Sequence, residues 1–136
     1  MTALMSDLSV VIVDDDESVR ESLPDLLGVH GFSSQVFSSG EEFLAANSFG
    51  RIGCVLLDIA MPGMSGPEVQ QELKRRGVRV PVVFITAHGD DIVRPQVLAL
   101  GAVDCLIKPF TDVALIGAVN AAFQIAVALA GSKGAS

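Results

Sequence analysis

The chain predicts an α/β fold, a doubly wound parallel sheet with helices on both faces, and three observations carry that prediction. Five apolar runs of strand length alternate with five segments of helical character along 136 residues. Runs such as VVIV at 10–13 and CVLL at 54–57 are continuous rather than alternating, as strands buried on both faces read. The runs also end in chemistry-bearing residues, Asp14 to Asp16, Asp58, Thr86 and Lys108. The C-terminal ends of the strands are where such sheets place their sites.

Residues 1–8 read as a loose leader. The first strand is Ser9 to Val13, followed by a helix from Glu17 to His30 that carries Val19, Leu23, Leu26 and Leu27 on one face and closes at Gly31. Pro24 inside it removes a backbone bond, which predicts a kink or a late start to the regular helix. Phe32 to Phe37 is the second strand. Ser38 or Ser39 caps a helix over about 40–46, with Glu41 and Glu42 placed well for the helix dipole. The third strand ends at Asp58 and leaves through a loop holding Pro62, Gly63 and Gly66. Gly66 to Arg76 is the third helix, with Pro67 in its first turn. Pro81 to Ile85 is strand four, Asp91 to Leu100 helix four with Pro95 in an early turn, and Gly101 closes it. Val103 to Ile107 is strand five, and a helix capped by Thr111 or Asp112 runs to about Ala130. The ending at 131–136, GSKGAS, reads as a flexible tail or the start of a linker, which leaves 9–130 as one domain. Parallel strands need helical, right-handed crossovers, so this order gathers the strand ends into one crevice.

Composition narrows the function. Half the residues are hydrophobic, enough for one sizeable core. A formal charge of −7, with nine Lys plus Arg, argues against a nucleic-acid surface. The basic cluster Lys74, Arg75, Arg76 and Arg79 reads as a solvated helix end. Cys54 and Cys105 both lie in apolar runs and read as buried thiols, not as a disulfide or metal pair. There is no secretory pattern at the N-terminus. The nearest approach to a membrane span is Val113 to Gly131, whose Ala and Gly content suits a packed helix better. The expected location is the cytoplasm. His30 sits near a helix end, where a cation is favourable, and His88 lines a loop near the crevice.

The acids carry the chemistry. Singly, each residue has an ordinary use: an aspartate as a cap, Lys108 as a surface lysine, Thr86 as a loop hydroxyl. At four strand ends together they describe a site. Converging carboxylates repel and raise one another's pKa unless a cation lies between them. A hard divalent ion, Mg²⁺ or Mn²⁺, suits oxygen ligands better than zinc does. Lys108 supplies a mobile positive charge for a phosphoryl oxygen, and Thr86 a hydroxyl donor. Asp58 is then the nucleophile of an aspartyl phosphate.

The segments VIVDDDESVRESL, VLLDIAMPGMSG, PVVFITAHGD and GAVDCLIKPF together resemble the receiver domain of two-component response regulators. The likeness covers roughly residues 9–128, and the wording around HGD and GAVDCLIKPF looks most like the nitrogen-fixation and nodulation transcriptional regulator type. The resemblance implies a flavodoxin-like sheet of order 2-1-3-4-5 with five helices. It implies that Asp58 is the phosphoacceptor and that Asp14 and Asp15, with the Ala60 carbonyl, hold magnesium. It makes Thr86 the switch hydroxyl and Lys108 the phosphate-binding lysine, with a cis bond between Lys108 and Pro109. It further implies a histidine kinase as donor, no turnover substrate, and a homodimer through helix 4, strand 5 and helix 5 as output. Where the family carries an aromatic switch residue, three positions before the lysine, this chain has Cys105. Two other readings are a degenerate receiver that only binds proteins and a phosphohydrolase of the haloacid dehalogenase type. The latter needs a second Asp two residues after Asp58, where Ala60 stands.

Overall fold

The computed structural model describes residues 8–46, 51–87 and 93–135, with side chains to 129. The elements are β1 (Ser9–Val13), α1 (Glu17–Val29), β2 (Ser33–Phe37), α2 (Gly40–Ala45), β3 (Ile52–Asp58), α3 (Gly66–Arg75), β4 (Val82–Thr86), α4 (Val93–Ala99), β5 (Asp104–Ile107) and α5 (Asp112–Ala135). All strands pair in parallel in the order β2-β1-β3-β4-β5. This is the doubly wound order expected of a flavodoxin-like chain.

Alternation along each strand divides the core in two. Val10 and Ile12 of β1 and Cys54 and Leu56 of β3 pack with Leu23 and Leu27 of α1 and with Leu115, Val119 and Phe123 of α5. Val11, Val13, Val55 and Leu57 face the other way, onto Phe43 of α2, Val69 and Leu73 of α3, and Val97 of α4. Every residue of β3 is buried, because strands flank it on both edges and helices cover both faces. A carboxylate at the end of that strand therefore enters an environment of low polarity.

Local chemistry explains where the elements stop. Gly31, Gly77 and Gly101 adopt φ values of +86°, +73° and +101°. After each of them the chain closes a Schellman turn, with Phe32 N–H donating to Leu27 O, Val78 N–H to Leu73 O and Ala102 N–H to Val97 O. α1 starts at Glu17 despite Pro24, so the expected late start does not occur; Asp16 caps it by accepting from Ser18 N–H. β4 begins one residue later than expected, since Pro81 has no N–H to give; its carbonyl still accepts from Val55 N–H at 2.9 Å. The expected first residues of helix four, together with His88, lie outside the described residues. α5 stays helical to Ala135, past the Ala130 end expected for it.

Among the described residues, α5 is also the helix that, by length and composition, is apolar enough to cross a membrane, over Asp112–Leu129. Its buried face, Leu115, Ala118, Val119, Ala122 and Phe123, lies on the sheet against β3, β4 and β5. Phe123 packs edge-on to Phe32 at 5.0 Å between ring centroids and closes over Gly53 of β3.

That closure makes a paired prediction. A Cβ at Gly53 would lie 2.4 Å from the Phe123 ring, whereas one at Gly28 of α1 meets nothing within 4 Å. Gly53→Ala should lower unfolding free energy by about 1–3 kcal/mol through overpacking. Gly28→Ala should raise it by about 0.4–1 kcal/mol by restricting the unfolded chain and favouring helix. Urea unfolding of the two variants checks both signs.

Candidate functional site

The sheet delivers its carboxylates from two adjacent strands. Asp14 follows the last residue of β1 and is 1 % exposed; Asp58 ends β3 and is 7 % exposed. Asp15 beside them is exposed. Each offers a ligand oxygen, and the three oxygens lie within 4.8 Å of one another. Asp16 is turned away. Its Oδ1 accepts from the Ser18 amide at 2.9 Å and the Ser18 hydroxyl at 2.7 Å, which hold its carboxyl below the usual carboxylate pKa.

Lys108, at the end of β5, approaches from the opposite side, its Nζ donating to Asp14 Oδ2 at 3.4 Å. The bond from Lys108 to Pro109 is cis. Lys108 N–H donates to the Thr86 carbonyl at 2.8 Å, so the backbone ties the lysine to the end of β4. Thr86 itself is buried. The crevice thus brings Asp14, Asp15, Asp58, Thr86 and Lys108 to the same end of the sheet.

Asp58 shows the cost of this arrangement. Burial pushes its pKa up to about 7, the nearby Asp14 carboxylate pushes the same way, and Lys108 opposes them. Its ionised form is under-compensated by protein alone. Three closely set, mostly buried carboxylates make an acidic cluster able to coordinate a divalent metal. The all-oxygen donor set matches a hard cation, and the charge conflict at Asp58 is the kind that such an ion relieves.

The loop that carries the chain away from Asp58 is tightly held. Ile59 N–H donates to Ile85 O at 3.0 Å and Gly66 N–H to Ile59 O at 2.9 Å. A Cβ on Gly66 would lie 2.4 Å from the Asp58 carbonyl oxygen, so this close approach requires glycine. Ser65 and Glu68 form a capping box that starts α3. Ala60 is exposed in this loop.

Three residues near the site were not legible as such in the sequence. Glu41 of α2 accepts from Met64 N–H at 3.3 Å, tethering the loop after β3. Arg20 donates to the Asp14 carbonyl at 2.9 Å. Arg94 of α4 donates to the Cys105 carbonyl at 2.7 Å and pairs with Asp104 at 2.8 Å. Glu41 carries a local signal, but for the helix dipole; its contact is with a residue 23 positions away. The other two are ordinary surface arginines by local pattern. Cys105 is buried on β5 opposite Phe84 of β4, with its thiol pKa raised chiefly by that burial.

The model of the response regulator receiver domain matches residues 10–120. The chain belongs to this family. Among curated relatives, the response regulator protein TodT of Pseudomonas putida is 42 % identical over 124 residues, covering 90 % of this chain and 55 % of TodT. The transcriptional regulatory protein FixJ of Azorhizobium caulinodans is 43 % identical over 114 residues, covering 84 % of this chain and 54 % of FixJ. The solved structure of the response regulator StyR is 38 % identical, with a TM-score of 0.88 over 95 % of this chain and 65 % of that one. The chain spans about half the length of the curated relatives it matches. The receiver-domain identity supports chemistry of self-phosphorylation and dephosphorylation rather than turnover of a substrate.

The frustrated carboxylate sets a pH dependence. An acid whose folded pKa lies above its unfolded value of 3.8 stabilises the fold least when ionised: stability is highest below about pH 4 and falls as pH rises through 7. In metal-free buffer at pH 7.5, Asp58→Asn should therefore melt higher than the native chain by roughly 3–6 °C. The gain should shrink as pH falls from 7 toward 4 and vanish below about pH 3, where the carboxyl is neutral in both the folded and the unfolded chain. Calorimetric scans across that range test it.

Proposed function

We propose that this receiver accepts a phosphoryl group on Asp58 from the phosphohistidine of a sensor histidine kinase. The observation that supports it best is the pairing of a buried, charge-frustrated Asp58 with a lysine that already points at the same crevice. In this reading an Asp58 carboxylate oxygen forms the bond to phosphorus as the bond from phosphorus to the histidine nitrogen breaks, and the leaving imidazole takes a proton from water. Asp14, Asp15, Asp58 and the Ala60 carbonyl would hold Mg²⁺, with Mn²⁺ as a substitute, and the ion would supply positive charge toward the phosphoryl oxygens. Lys108 exchanges Asp14 for a phosphoryl oxygen, and the Thr86 hydroxyl donates to another. Both residues hold the product and couple it to the ends of β4 and β5.

The output is a change on the face formed by α4, β5 and α5, leading to a homodimer. Leu98, Ile107 and Val113, one on each of these elements, are exposed apolar residues. Cys105 is too small to sweep the volume of an aromatic switch. The relay runs instead through Thr86 and through Arg94, which fastens α4 to the backbone of β5. The receiver domain is residues 9–130, with the helix of α5 continuing to Ala135. The site of action is the cytoplasm, where kinase phosphohistidine is available, and the receiver itself contacts neither DNA nor membrane. The buried Cys105 also favours one second reading, a receiver that binds partners without being phosphorylated.

Two measurements separate these. Incubation with phosphoramidate and Mg²⁺, followed by intact mass, should add one phosphoryl group that is absent in Asp58→Asn; an unmodified native chain supports the binding-module reading. Lys108→Ala should still accept the group, at a rate lower by about tenfold or more, since it removes a charge that meets the transferring oxygens. For the output, phosphorylation should shift the native chain toward dimer in sedimentation experiments, and Ile107→Glu should weaken that shift by an order of magnitude or so through a buried, unpaired charge.

A further inference from the structure

Asp14 is the acid on which the crevice turns. It is 1 % exposed, its carboxylate lies with those of Asp15 and Asp58, and it accepts from Lys108 Nζ at 3.4 Å. Where that carboxylate stands follows from how the backbone of Asp14 is held, and Asp14 sits where a ladder ends. β1 and β2 pair in parallel from Ser9↔Ser33 to Val13↔Phe37, and Asp14 N–H adds a bond to the Phe37 carbonyl at 3.2 Å. If the ladder ran on, the Asp14 carbonyl would accept from the amide of Ser39. Ser39 caps α2 instead, and the carbonyl takes Arg20 Nη1 at 2.9 Å.

Local preference does not explain an arginine at position 20. It is the fourth residue of α1, close to the positive end of the helix dipole, where a cation is disfavoured. Asp16 stands four residues before it, the spacing of a favourable ion pair. Yet the Asp16 carboxylate bonds to Ser18, and Arg20 makes no ion pair among the described residues. Its half-buried guanidinium is committed to a backbone carbonyl, in a charge-assisted bond stronger than the amide bond it replaces.

On the reading that the crevice holds Mg²⁺ and accepts a phosphoryl group, we infer that Arg20 is a positioning residue of that site: it holds the Asp14 backbone where the ladder stops, keeps the Asp14 carboxylate set against Asp58 and Lys108, and so raises the crevice's affinity for a divalent cation. Arg20 acts through Asp14 and touches neither ion nor phosphoryl group, because the carbonyl it bonds faces β2, whereas Asp58 ends β3 on the opposite side of β1. Without the guanidinium the Asp14 carbonyl loses its protein partner, and the bond to Phe37 alone fixes the backbone of Asp14.

Two effects of removing Arg20 have opposite signs. Deleting a positive charge near three acids strengthens the binding of a cation by simple attraction, whereas releasing Asp14 weakens it. Isothermal titration with MgCl₂ reads the sign. Arg20→Ala and Arg20→Met, measured side by side so that the result does not hang on one variant folding, should each bind Mg²⁺ about tenfold more weakly than the native chain. Arg20→Lys, which keeps a cationic donor on a long stem, should recover part of the loss. Asp14→Asn, which removes a ligand charge itself, should bind more weakly still. Affinity in the two uncharged Arg20 variants equal to or above the native value, with binding lost in Asp14→Asn, overturns the role of Arg20 alone. A native chain that takes no Mg²⁺, or an Asp14→Asn variant that binds it as the native chain does, overturns the metal site and the role of Arg20 with it.

Discussion

Everything in this domain is arranged around a repulsion. Two adjacent parallel strands, β1 and β3, end side by side and place Asp14 and Asp58 together in a mostly buried crevice. A sheet that buries β3 on both faces cannot hydrate the carboxylate at its end, so Asp58 is pushed toward neutrality. Lys108 offsets part of this, yet it bonds to Asp14 and not to Asp58. A site in which protein charges do not balance is prepared for added charges, a divalent cation and a phosphoryl group.

The fold around the site is organised to hold that imbalance still. Asp14 is fixed from both sides: its Oδ1 accepts from Asp16 N–H and its carbonyl from Arg20. The loop after Asp58 is pinned to the end of β4, tethered by Glu41 and started into α3 by a capping box. Lys108 is tied through its backbone to Thr86. Such positioning makes any new interaction at Asp58 compete directly with existing ones, and the exchange can bias the elements that follow β4 and β5. Arg94 stands where that bias would be felt, joining α4 to β5 beside the buried Cys105.

Much of this was legible in the sequence. Continuous apolar runs ending in Asp, Thr and Lys identified a parallel sheet and the residues gathered at the C-terminal end of its strands, because burial on two faces leaves a hydrophobic signature. The glycines at 31 and 101 marked helix ends for a steric reason that sequence carries directly. What was not legible depends on contacts between distant elements. Nothing local distinguishes Glu41 from any acid in a first helical turn, or Arg94 from any exposed arginine, and Asp16, the acid left over beside the Asp14 and Asp15 pair, caps α1 with its carboxyl. The persistence of α1 through Pro24 reflects tertiary burial of Leu23 and Leu27 overriding a local penalty.

The central claim is that Asp58 is electrostatically unsatisfied by the protein and satisfied by an added cation. Carbon-detected NMR of the Asp58 side-chain carboxyl, titrated with and without Mg²⁺, addresses it without reference to any partner. The account predicts a midpoint near 7 in metal-free buffer and a fall by at least about two pH units when Mg²⁺ is present. A midpoint near 4 in both conditions would contradict it.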